Sequence, residues 1–195
     1  MFQVGLSGTL DAIAAVMSDW RAGALLLLLF AAAIFDTRSH RIPNPLVLSG
    51  ALFGVIYNTI SPLAFNDTIL VPIAGIGVGL MLFLPLYALR AMGAGDVKLL
   101  AMVGAFVGPG ATLRVAVLSI FAGGVLAILF VLVKGTAPRL IQNVRSVLQL
   151  SFLNVSMGAA PNLHIAPEKS AGKLPFAVAI LIGTLSYLVL RQLIF

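Results

Sequence analysis

Residues 69–89 read ILVPIAGIGVGLMLFLPLYAL, twenty-one positions without an acid, a base or a side-chain amide. As a helix rising 1.5 Å per residue this run covers about 31 Å, the thickness of the hydrocarbon core of a bilayer. Residues 22–35, 115–133 and 174–190 are equally free of charge. The whole chain of 195 residues is 61% hydrophobic and only 9% charged, where a soluble domain carries about a quarter charged residues, and its mean hydropathy is +1.12. Inside lipid every backbone N–H and C=O must be paired within the protein, and the period-2 alternation of a membrane barrel is absent, so the spans should be helices. The expected class is an all-α integral membrane protein.

Outward from residues 69–89, the pattern predicts six crossings, at 22–35, 45–60, 69–89, 97–112, 114–133 and 174–193, in one membrane-embedded domain, 1–195. Between the last two, Leu140, Ile141, Val144, Val147 and Leu148 fall at helical spacing among Arg139, Gln142 and Arg145, which predicts an amphipathic helix in the membrane interface. Residues 148–160 form a weaker, seventh candidate span. The glycines and prolines of GAAPNLHIAPEKSAGK, residues 158–173, read as a loop. Glycines such as Gly75, Gly79, Gly104, Gly108, Gly123 and Gly124 read as positions of close helix packing.

The net charge of +6 has a topological reading. If the loop DTRSHRIPN, residues 36–44, is cytoplasmic, nine of the twelve basic residues share its side, and only Arg21, Arg114 and Arg191 lie opposite. That bias predicts both termini on the non-cytoplasmic face. No basic run is interleaved with aromatics, so nucleic acid is not an expected partner, whereas membrane lipids are. With no cysteine there is no disulfide, thiol catalysis or Cys-type metal site. His40 and His164 make no ligand pattern, and no metal or cofactor is expected. The N-terminal twenty residues lack the basic start of a signal peptide and carry Asp11 and Asp19, so they are expected to remain in the mature chain.

Of the six acids, Asp36 and Asp96 stand at the edges of apolar spans on the expected cytoplasmic side. An ionisable group at membrane depth costs about 2.5–3.5 kcal/mol at a helix centre and is a functional candidate for that reason. Only fourteen residues separate Arg21 from Asp36, a rise of about 21 Å against a core of about 30 Å, which draws the acidic end toward lipid. Two crossings lie between Asp36 and Asp96, so both return to one face. Two carboxylates brought close cannot both ionise readily, and such a pair can activate water and protonate a leaving amine. Asp96, at a helix start two residues before Lys98, is expected to be the base; Asp36, at a helix end, is expected to be the protonated partner. Gly93 and Gly95 would let backbone turn and an extended peptide approach Asp96. Arg38 would tune Asp36 or bind lipid phosphate, Lys98 would meet the carboxylates or the headgroups, and Pro43 with Asn44 would shape the turn into the second span.

Together FDTRSHRIPN, residues 35–44, and GAGDVK, residues 93–98, resemble the two active-site segments of the type IV prepilin peptidases, membrane aspartic proteases of the G-x-G-D type. Asp36, Arg38, Ile42, Pro43 and Asn44 match D-x-R-x-x-x-I-P-N, and Gly93, Gly95, Asp96 and Lys98 match G-x-G-D-x-K. LPFAVAILIG, residues 174–183, is similar to the start of that family's last span. The resemblance implies a bacterial inner-membrane endopeptidase that removes the basic leader from prepilins or pseudopilins at the cytoplasmic face, with Asp36 and Asp96 catalytic, alongside pilus assembly machinery. Many members also methylate the new N-terminus through an N-terminal region with paired cysteines. This chain lacks those cysteines, and its first span is expected too early to leave room for that region, so it resembles the short, peptidase-only form of tight-adherence (Flp) pilus systems. No methyltransferase activity is expected.

Two other classes fit a chain with these residues. A small proton-coupled transporter or channel component could use Asp36 and Asp96 as a relay, but would favour acids at the midplane or spread in depth. A non-catalytic assembly scaffold would have no need of the acidic pair.

Overall fold

A computed structural model of the chain describes residues 16, 19–60, 69–89, 92–135 and 175–194. Within them lie six helices: α1 Trp20–Ser39, α2 Asn44–Ile60, α3 Leu70–Ala88, α4 Ala94–Val107, α5 Pro109–Lys134 and α6 Phe176–Ile194. By length and composition, α1, α3, α5 and α6 can each cross a membrane, and α2 is a shorter apolar helix. Large side chains turned outward, such as Met81 at 78% and Val133 at 86% exposure, would be a liability in water and suit lipid. The expected interfacial helix and the seventh candidate span lie outside the described residues.

Local chemistry sets the helix ends. Asp19 caps α1 by accepting from the Arg21 N–H at 3.0 Å, as a short carboxylate before a helix commonly does. The helix runs past residue 35 to Ser39 and closes on His40, whose left-handed backbone returns its N–H to the Asp36 carbonyl at 2.9 Å. Hydropathy marks where lipid-compatible residues stop; the helix itself continues, so Asp36 sits inside its last turn. The larger departure from the predicted pattern is at residues 97–114. The helix break falls at Gly108, not between 112 and 114, because Gly108 takes φ +79° and Pro109 opens α5 from its first position. Positive φ suits glycine, and proline has no N–H for a continuing helix to bond. Apolar residues on both sides hide this break from a hydropathy reading.

The shortest helix occupies the middle. Fourteen-residue α4 touches all five others, and ten of its residues are buried, from Asp96 through Phe106. Between lipid-embedded helices hydrophobic burial drives little, so close van der Waals contact must hold the bundle. Glycines supply that approach. A Cβ on Gly75 would collide with the Gly104 carbonyl, and one on Gly79 would lie 2.8 Å from the Ala101 Cα. On the other flank, Gly50 and Gly54 receive the side chains of Met102 and Phe106. Gly124, by contrast, has nothing within 4 Å of a Cβ, so packing does not account for it.

These contacts also fix direction. Pairings 75 with 104 and 79 with 101 run α3 antiparallel to α4; pairings 50 with 102 and 54 with 106 run α2 parallel to it. Asn58 at the far end of α2 donates to the Ala105 and Phe106 carbonyls at 2.6 and 3.2 Å, satisfying acceptors that a helix C-terminus leaves open. Gly123 against Phe176 and Ser119 against Gly183 run α5 antiparallel to α6. The end of α1 and the starts of α2, α4 and α6 are thereby gathered at one end of the bundle.

Candidate active site

At that end both acids turn inward. Asp36 is 8% exposed and Asp96 9%, and they lie close enough for the charge on one to act on the other. Asp96 is the third residue of α4, and its Oδ2 accepts from the Gly93 N–H at 3.2 Å, half of the reciprocal bonding that caps a helix start. Asp36 Oδ2 accepts from the Ala177 N–H at 3.1 Å, a buried bond spanning 141 residues of sequence.

The second bond alters the expected division of roles. Asp36 does end α1, but it also faces the first turn of α6, where unpaired N–H groups attract negative charge. Each carboxylate therefore accepts a backbone N–H at a helix start. Helix ends thus do not distinguish the two carboxylates.

The two motifs also touch through their other residues. Lys98 Nζ donates to Asn44 Oδ1 at 3.0 Å, so the lysine that closes one segment binds the asparagine that closes the other. Ile42 lies over Gly95: a Cβ there would stand 3.3 Å from the Ile42 Cδ1 and 3.4 Å from its Cβ. Gly93 has φ −79° and ψ 150°, open to any residue, so the turn does not require its freedom. What it requires is room, since a Cβ on Gly93 would lie 3.2 Å from Asp96 Oδ2. Glycine at 95 makes space for Ile42. Pro43 is half-buried and Asn44 opens α2. Arg38 is exposed, and among the described residues the ion pair present is Arg21 with Asp19 at 3.4 Å, at the other end of α1. Arg38 thus makes no ion pair with Asp36.

Gly95→Ala should lower stability by about 1 kcal/mol, because the Ile42 Cβ cannot move as its tip can. The same change should cost less in an Ile42→Ala background. Thermal unfolding of the four proteins of this cycle checks the coupling.

Three features escaped the sequence reading. Ala177 contributes a backbone donor, for which no side chain signals. The Lys98–Asn44 bond joins positions 54 apart, and the Ile42–Gly95 contact is readable only once the two segments are known to meet. Among the described residues no group of three or more His, Asp or Glu could hold a metal ion.

The model of the type IV leader peptidase family matches residues 23–128, more than half of the chain and inclusive of both Asp36 and Asp96. Searches of curated proteins and of solved structures gave no match. Residues 175–194, which supply the bond to Asp36, lie beyond the matched region. With four helices apolar and long enough to span a bilayer, this is a multi-pass membrane peptidase, and the chain belongs to the type IV leader peptidase family.

Proposed function

We propose that the chain is an aspartic endopeptidase that removes the basic leader from type IV, Flp-like prepilins or pseudopilins, using Asp36 and Asp96 on one water molecule. The observation that carries this reading is the meeting of two buried carboxylates from distant segments at one end of the bundle, within reach of each other's charge. The charged carboxylate takes a proton as water oxygen bonds to the scissile carbonyl carbon. Its protonated neighbour gives a proton to the leaving amide nitrogen as the C–N bond breaks, and the pair again holds one proton. Gly93 N–H and Ala177 N–H hold the two carboxylates in place. Lys98, Asn44, Ile42, Pro43 and Gly95 keep the segments in register, while exposed Arg38 stands at the headgroups.

On this reading the chain crosses a bacterial inner membrane six times, with this end at the cytoplasmic face and both termini opposite; the bias of basic residues supports it. A basic leader is not drawn to basic loops; anionic lipid attracts both and brings them to the same surface. The absence of cysteine supports a peptidase without the methyltransferase step. A transmembrane proton relay is less well supported, because Asp36 and Asp96 share one end and no described acid lies between them and Asp19 at the other.

Co-expression with a leader-bearing prepilin, followed by mass measurement of the pilin, tests the proposal. Loss of the leader mass is expected, and a pilin that keeps its leader beside folded enzyme would overturn it. With purified protein, kcat against pH should be bell-shaped. At low pH both carboxyls are protonated and no base remains; at high pH both are charged and no acid remains.

A further inference from the structure

We infer that Phe176 is a positioning residue for the carboxylate pair, acting from inside the bundle through the first turn of α6. The bond from Ala177 N–H to Asp36 Oδ2 is buried, and Ala177 itself has no exposed surface. A backbone donor points where its helix points. The start of α6 is held by the ring one residue earlier. Phe176 meets the fully buried Phe83 of α3 edge-on, with centroids 5.9 Å apart and planes at 70°. Its Cε2 lies 2.6 Å from where a Cβ on Gly123 of α5 would stand. The ring therefore fills the junction of α3, α5 and α6, in space that α5 leaves by having glycine there. Val178 N–H closes the turn on the Pro175 carbonyl at 3.3 Å, so ring and donor move as one unit. Shrinking the ring, or filling Gly123, should rotate this turn and take the N–H off Asp36.

This inference rests on the proposed catalytic role of Asp36, and its test separates the two. The full chain in lipid nanodiscs is assayed on a leader-bearing peptide, as wild type, Phe176→Ala, Gly123→Val, the pair Gly123→Ala with Phe176→Leu, and Asp36→Asn. The first two single variants should lose about 10- to 100-fold in kcat, the value of one hydrogen bond to a charged group, with KM little changed. Their pH–kcat profiles should shift along one limb. The paired variant, which exchanges ring volume for a methyl group at the same junction, should recover most of the loss. Without substrate, the infrared carboxyl band that Asp36→Asn removes should move in Phe176→Ala. If that band stays in place, or if kcat falls only in proportion to lost folded protein with the pH profile unmoved, the positioning role is overturned. Cleavage by Asp36→Asn at the wild-type rate would instead defeat the catalytic reading, and the infrared band would still decide the positioning.

Discussion

Asp36→Asn and Asp96→Asn should each lower leader cleavage by about 10³-fold or more, while the protein folds as well as before or better. On the proposed mechanism one carboxylate supplies the base and the other the acid, and either function is worth about 10²–10⁴-fold alone. Since the two act as a unit, the double Asn variant should be scarcely worse than either single one. Stability should move the other way. Two buried carboxylates near each other resist simultaneous ionisation, and asparagine keeps a carbonyl oxygen for the Gly93 or Ala177 N–H while removing one charge. The gain should be largest at high pH, where the wild type must hold both charges. Cleavage rates and melting temperatures across pH check both halves. An Asn variant that cleaves normally ends the paired mechanism, and one that loses activity only by unfolding removes its support.

Gly104→Val should be the most damaging change outside the acids, costing about 3 kcal/mol or more and leaving little folded protein. At this position α4 meets α3 backbone to backbone, with Gly75 carbonyl and Gly104 carbonyl each in the space the other's Cβ would need. No rotamer can relieve a clash with backbone, so the helices must part, and overpacking at such contacts already costs 1–3 kcal/mol where side chains can yield. Gly77, on the same helix as Gly75, has nothing within 4 Å of a Cβ. Gly77→Ala should therefore be neutral or stabilising by up to about 1 kcal/mol. Size-exclusion profiles and thermal scans of the two proteins in one detergent measure the contrast; equal melting would mean that α3 and α4 do not meet this way.

The difference between those glycines shows what a sequence reveals here and what it withholds. The apolar runs announced helices because lipid permits little else, and their bounds matched three of the six helices within two residues, α2, α3 and α6. The break at Gly108 and Pro109 was written in ordinary turn residues, but it interrupted no hydrophobic run and so changed no hydropathy. Asp36 and Asp96 stood out because charge is rare in such a chain. Their neighbours were harder to interpret: nothing in the sequence joins Gly95 to Ile42 or Lys98 to Asn44, although both contacts bridge the two motifs. Ala177 could not have been found from side-chain chemistry, since its contribution is an N–H that nearly every residue carries.

The bond between Ala177 and Asp36 also bears on how the molecule is made. Its partners are separated by most of the chain, and such long-range contacts form late, after the local helices exist. During synthesis α1 and α4 can present both carboxylates before α6 has emerged, but the donor to Asp36 arrives with the last described helix. On the proposed mechanism, the nascent protein carries its acids through the membrane-insertion machinery, among other unfolded clients, in an unfinished arrangement. On that mechanism proteolytic competence waits for α6 to dock, a delay that spares neighbouring chains.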